Sequence, residues 1–67
     1  MAKIQLNGKK IEIKLKTTIY DILKKFKLDS KKVAIEHNGH IISKNNYKKK
    51  FLKNNDKLEV VHFIGGG

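Results

Sequence analysis

Lys3-Ile4-Gln5-Leu6-Asn7-Gly8-Lys9-Lys10-Ile11-Glu12-Ile13-Lys14-Leu15-Lys16 is two alternating polar and apolar runs joined by Asn-Gly. Alternation with period two is the pattern of a strand with one buried face, and Asn-Gly is the pair that most readily takes the left-handed backbone of a two-residue hairpin turn. The chain therefore opens on an antiparallel hairpin. Ile4, Leu6, Ile11, Ile13 and Leu15 form its inward set, while Lys3, Gln5, Lys10, Glu12, Lys14 and Lys16 face water. A hairpin with one apolar face is marginal by itself, so the next segment has to cover it.

That segment begins at Thr18, with Asp21 three positions on, the spacing of an acidic capping box; Thr17 is an alternative cap. Ile19, Ile22, Leu23 and Phe26 fall at i, i+3, i+4 and i+7, one apolar stripe of a helix. Lys24, Lys25 and Lys27 lie opposite it and in the last turn, where cations complement the helix dipole. Leu28 closes the core as the chain turns through residues 29–32. Asn38-Gly39 then marks a second, shorter hairpin between residues 33–37 and 40–42, with Val33, Ile35 and Ile42 inward. Tyr47 and Phe51, four apart and followed by Leu52, predict a short helical turn that plugs the far edge, with Lys48, Lys49 and Lys50 as its wet side. Asn54-Asn55-Asp56 is a turn by composition, and the final strand starts at Lys57. The expected architecture is α+β: about five strands in one sheet and one main helix on one face, a single domain spanning 1–67.

The last strand is unusual. Period two separates Leu58, Val60, His62 and Ile64, on the core side, from Glu59, Val61 and Phe63, on the solvent side. Val61 and Phe63 are apolar residues on the outer face, beside whatever Ala34 or Ile41 brings from neighbouring strands. Such a patch is a candidate docking surface for a partner. The run then stops at Gly65-Gly66-Gly67, which can extend about 10 Å and has no side chain to obstruct entry into a narrow slot. A strand that ends this way delivers a bare carboxylate into solvent, and the rest of the chain becomes its handle.

Composition narrows the chemistry. The 67 residues leave room for one sheet and about one helix, with little surplus for an elaborate active site. There is no cysteine, hence no disulfide framework, thiolate metal site or thiol nucleophile, and any sulfur chemistry needs another anchor. No serine, histidine and carboxylate spacing suggests a triad, and no glycine-rich loop precedes a helix, so an enzyme is not expected. His37 and His40 face each other across a two-residue turn without a third ligand, and no metal site is expected there. His62 reads either as a satisfied, half-buried residue or as a partner contact. No stretch reaches the ~20 apolar residues of a membrane span, and the N-terminus has no apolar signal-peptide core, which places the chain in the cytoplasm. The net charge of +10 invites a nucleic-acid reading, but all 16 basic residues are lysine, whereas bidentate base and phosphate recognition favours arginine. What remains is an electrostatic preference for acidic partner surfaces.

Three segments together carry a family resemblance: Leu6-Asn7-Gly8-Lys9, then Val33-Ala34-Ile35-Glu36 followed by Asn38-Gly39, then the ending Val60-Val61-His62-Phe63-Ile64-Gly65-Gly66-Gly67. Over essentially its whole length the chain resembles the ThiS family, the sulfur carriers of thiazole formation in thiamine biosynthesis. A terminal di-glycine alone is shared with ubiquitin and with the molybdopterin-type carriers; those carriers tend to be longer, with proline before the tail, and this chain contains no proline.

The resemblance implies the ubiquitin-like β-grasp fold, in which the first and last strands are parallel neighbours at the centre and the tail leaves from the last strand. It also implies a cycle at Gly67. A ThiF-like enzyme adenylates its carboxylate with ATP, sulfur from a donor such as a cysteine desulfurase displaces AMP, and the thiocarboxylate serves a ThiG-like thiazole synthase. Gly65 and Gly66 give the tail clearance and flexibility. Val61 and Phe63, with Ile64 beside them, are the docking candidates. No cofactor is expected on the carrier itself. The other readings are a ubiquitin-like protein modifier, a molybdopterin-type carrier and, further away, a small basic nucleic-acid binder.

Overall fold

A computed structural model of the chain describes residues 1–62. Five strands, β1 (Ala2–Leu6), β2 (Lys9–Ile13), β3 (Val33–His37), β4 (His40–Ile41) and β5 (Lys57–His62), form one mixed sheet in the order β2-β1-β5-β3-β4. The single α-helix among the described residues, α1 (Ile19–Lys25), buries Ile19, Ile22 and Leu23. β1 and β5 are parallel, and every other pairing is antiparallel. The first and last strands thus meet in the middle of the sheet, as the β-grasp expectation requires.

Both Asn-Gly pairs turn the chain as their composition dictates. Asn7 and Gly8 have φ of 50° and 83°, and Asn38 and Gly39 have 51° and 85°, left-handed at both central positions of each turn. The helix start is also as expected: the Thr18 side chain accepts from the Asp21 N–H at 3.1 Å, and the Asp21 carboxylate accepts from the Thr18 N–H at 3.0 Å. The Thr18 bonds hold the Asp21 carboxyl below its ordinary range.

Ile4, Ile13, Val33, Ile35 and Leu58 join the helix residues in the core, with Leu6, Ile11, Leu28 and Ile42 packed at its margin. Each buried aliphatic contributes about 1.5–3 kcal/mol against the entropy of ordering the chain. Three inward expectations are corrected. Leu15 is 71% exposed, because β2 ends at Ile13 and a turn through Lys16, at φ 66°, breaks the period-two alternation. Phe26 is exposed because the helix stops one residue before it. Lys27 takes the left-handed conformation there, its N–H reaching the Lys24 carbonyl and that of Leu28 the Leu23 carbonyl, a Schellman ending that folds Leu28 back onto the core in place of Phe26. Phe51 is exposed because the helical turn falls earlier, at Lys44–Asn46, capped by Ser43. That turn leaves Tyr47 and Leu52 buried, while Phe51 sits in extended chain bridged to Thr18.

Candidate functional site

β5 carries the candidate docking residue Val61 and leads toward the candidate tail, and its two ends meet different side chains. At its start, Asp56 is 8% exposed and gathers three donors. One carboxylate oxygen accepts from the Lys53 N–H at 2.7 Å and meets His37 Nε2 at 2.8 Å; the other accepts from Asn38 Nδ2 at 3.0 Å. Burial pushes the Asp56 carboxyl up, but the bonds from His37, Lys53 and Asn38 outweigh it and hold it below its ordinary range. Asn38 completes the anchor: its Oδ1 accepts from the Lys57 N–H at 2.8 Å, and its own N–H donates to the Lys57 carbonyl at 2.8 Å.

The other end of β5 rests on Asn7. The Asn7 N–H donates to the Leu58 carbonyl at 2.9 Å. Its side chain continues the contact: Oδ1 accepts from the Val60 N–H at 2.7 Å, and Nδ2 donates to the Val60 carbonyl at 3.3 Å. Sequence reasoning reads Asn7 and Asn38 only as turn residues and Asp56 only as part of a turn. Nothing local in the sequence says that each side chain reaches a strand about fifty or twenty positions away, because that depends on which strands become neighbours.

On the outer face, Val61 is 54% exposed, as its place in the alternation requires. It pairs with Ala34 of β3, which is half-buried, and Ile41 on β4 is exposed two rows away, opposite Glu36. Leu58 and Val60 are buried on the opposite face. His62 is exposed instead of joining them. It stands opposite Val33, but β1 has already turned away at Asn7-Gly8, so among the described residues no strand flanks it on that side. Its reading as a half-buried histidine is therefore corrected. Phe63 and Ile64 of the candidate patch, and Gly65, Gly66 and Gly67 of the tail, lie outside the described residues.

The histidine pair is in register, His37 against His40, but His37 is engaged with Asp56. Among the described residues no three His, Cys, Asp or Glu side chains are grouped to hold a metal ion. An open depression of about 420 Å³ between β2 and α1 is lined by Glu12, Thr17, Asp21 and Lys25 among others, and no residue of β5 borders it. Its shifted carboxylate, Asp21, is committed to the helix cap. Among the described residues, no helix is long and apolar enough to cross a membrane.

Among the described residues, a five-stranded mixed sheet with parallel first and last strands at its centre and one helix across a face defines the class: a ubiquitin-like β-grasp protein. The ThiS family profile matches residues 4–67. The sulfur carrier protein ThiS of Bacillus subtilis is 45% identical over 65 residues, covering 96% of this chain and 98% of that protein. The chain therefore belongs to the ThiS family. A thiazole synthase of Paramagnetospirillum magneticum is 38% identical over 65 residues; the match covers 97% of this chain but 20% of that much longer protein. In three dimensions, the crystal structure of the thiamine biosynthesis protein ThiS from Geobacter metallireducens superposes with a TM-score of 0.83 over 97% of this chain and 99% of that one, at 24% identity, which speaks to the fold.

Proposed function

We propose that this member of the ThiS family carries sulfur for thiamine biosynthesis as a thiocarboxylate on Gly67. The observation that carries the reading is nearly full-length similarity to a sulfur carrier in a chain whose central strand runs toward a glycine tail. The chain is a carrier and not a catalyst, and the chemistry at its carboxylate belongs to its partners.

A carboxylate is a poor electrophile, because loss of oxide is prohibitive. Adenylation with ATP by a ThiF-type enzyme converts it to an acyl adenylate with AMP as leaving group. The outer sulfur of a persulfide donor such as a cysteine desulfurase then attacks the carbonyl and expels AMP, giving an acyl disulfide. A second thiol, supplied by a partner or a small-molecule reductant, attacks the donor's sulfur, so that the S–S bond breaks, the thiocarboxylate leaves and the two thiols end as a disulfide. With no cysteine in the chain, the main-chain terminus is the anchor this reading assigns to the sulfur. The ATP is consumed on the partner, and the carrier binds no cofactor in this scheme. Gly65 and Gly66 let the tail enter a narrow active site. Val61, with Phe63 and Ile64 next along the chain, forms the surface on which partners dock.

Consumption of the thiocarboxylate by a ThiG-type thiazole synthase is supported by the thiazole synthase of P. magneticum, one fifth of which is similar to this chain. A carrier segment within the synthase's own chain is a direct way to keep donor and acceptor together. Because the cycle needs ATP and a persulfide source, we place the carrier in the cytoplasm. The test is incubation with ATP, a ThiF-type enzyme and a sulfur source, followed by fragment mass analysis. Replacement of one oxygen by sulfur confined to Gly67 is expected, and a chain lacking Gly67 that is thiolated equally well would overturn the assignment.

A further inference from the structure

We propose that Asn7 is a positioning residue for the terminal carboxylate: its side-chain amide stands in for an absent residue of β1 and sets the last point, among the described residues, at which β5 is held from both flanks. This inference rests on the carrier reading above.

The parallel ladder between β1 and β5 consists of Gln5 against Lys57 and Leu6 against Leu58. There β1 ends and the chain turns back through Asn7 and Gly8. Val60 still needs a partner on that side. It is paired with Ile35, whose carbonyl accepts from Ile42 on the side away from β5, so Val60 and Ile35 do not bond each other and the main-chain groups of Val60 face the β1 side. Val60 is 8% exposed, and a peptide group left unsatisfied there would be costly. A side-chain amide offers the same donor and acceptor as a peptide. Asn7 supplies both, at 3.3 Å to the carbonyl and 2.7 Å from the N–H of one residue.

The next main-chain groups to face that side are those of His62, and among the described residues no strand stands beside them. β5 continues only on β3, through Ala34 against Val61 and Val33 against His62. Among the described residues, Val60 is thus the last one held from both sides, immediately before exposed Val61. The seven residues beyond it can span at most roughly 25 Å, so the place of this hold sets where the Gly67 carboxylate can go relative to a partner docked on Val61. Without the Asn7 amide the two-sided hold retreats to Leu58, and Glu59 and Val60 are left steadied from the β3 side alone.

Asn7→Gly tests this, because glycine accepts the φ of 50° and deletes only the amide. Asn38→Gly is the matched control: the same residue in the same turn conformation, also bonded to β5, but at Lys57, far in sequence from the tail. Both variants are measured, with the wild-type chain, in ATP–pyrophosphate exchange on a ThiF-type enzyme at a temperature where all are folded. Asn7→Gly is expected to lower kcat about tenfold with KM changed less than about twofold, the signature of a misplaced reacting group on an intact docking surface. Asn38→Gly is expected to leave both constants near wild type. Asn7→Asp, which keeps the acceptor for the Val60 N–H, should recover part of the loss.

Amide exchange supplies a second arm independent of the enzyme: the Val60 N–H should exchange at least about tenfold faster in Asn7→Gly than global unfolding accounts for. Equal kinetic losses in the two glycine variants, no loss in Asn7→Gly, or unchanged exchange at Val60 would each overturn the positioning role. A wild-type chain that no ThiF-type enzyme adenylates would instead overturn the carrier reading and, with it, the role of Asn7 in delivery; the exchange arm would then report only whether the amide holds Val60.

Discussion

The two Asn-Gly turns of this protein are alike in sequence and backbone, yet they serve opposite ends of β5. Asn38 anchors the start of the strand within a network that also contains Asp56, His37 and the Lys53 N–H. Asn7 alone reaches Val60 near the strand's far end, where Val61 and His62 are already exposed. One end is fastened by several mutually bonded groups, while on the β1 side the other is held by one side chain and, among the described residues, continues on β3 alone. The proposed carrier cycle would use this asymmetry, since it asks the strand to stay in the sheet while the tail is offered to a partner. The same turn chemistry therefore joins a network where it meets a buried carboxylate and makes a lone side-chain contact where it meets the later part of the strand.

The contrast can be erased from the middle. Leu58 is 1% exposed and lies in the inward row between the two ends, so Leu58→Ala should destabilise the fold by about 3 kcal/mol, read from urea unfolding. Asp56→Ala attacks the anchor alone. It orphans three donors around a buried site and should cost about 2–3 kcal/mol, whereas Asp21→Ala at the exposed helix cap should cost about 1 kcal/mol or less. A cost for Asp56→Ala no larger than that for Asp21→Ala would remove the distinction between a network and a local cap.

Acid should loosen the anchor too. The folded state holds the Asp56 carboxyl below its ordinary value of 3.8, so the unfolded chain binds the proton first as pH falls. The resulting stabilisation is complete above about pH 5 and is lost as pH drops through the lowered folded value. In Asp56→Asn, the fall in stability between neutral and acid pH should be visibly shallower than in the wild type. The smallest effect on the fold is expected at the delivery end: Val61→Ala should change stability by no more than about 0.5 kcal/mol, yet raise KM for the activating enzyme. An unchanged KM would take Val61 out of the docking surface.

Much of this architecture is legible in the residues because several local signals agree. Both Asn-Gly turns, the Thr18–Asp21 capping box and the alternation of Ile4, Leu6, Ile11 and Ile13 each point to one conformation, and the conformations fit together. The errors fall at element ends. Leu15 and Phe26 each continue a correct period past the point where the element stops, and His62 continues it, still within β5, past the point where β1 has turned away, since periodicity carries no information about where a strand or helix loses its neighbour. Phe51 is a different case: an i, i+4 spacing matched a helix that the chain makes one turn earlier, behind the Ser43 cap. At the candidate site, the exposure of Val61 follows from alternation alone. The roles of Asn7, Asn38 and Asp56 do not, because they depend on β5 lying between β1 and β3, a fact of topology that no window of sequence contains.

The central claim is that the end of β5 exists to present one carboxylate for sulfur. It is tested most directly by the mass of the C-terminal fragment after incubation with ATP, a ThiF-type enzyme, a persulfide donor and a thiol reductant. The expected result is one oxygen replaced by sulfur, located on Gly67 and abolished when that residue is removed. Sulfur found elsewhere in the chain, or undiminished thiolation without Gly67, would contradict it.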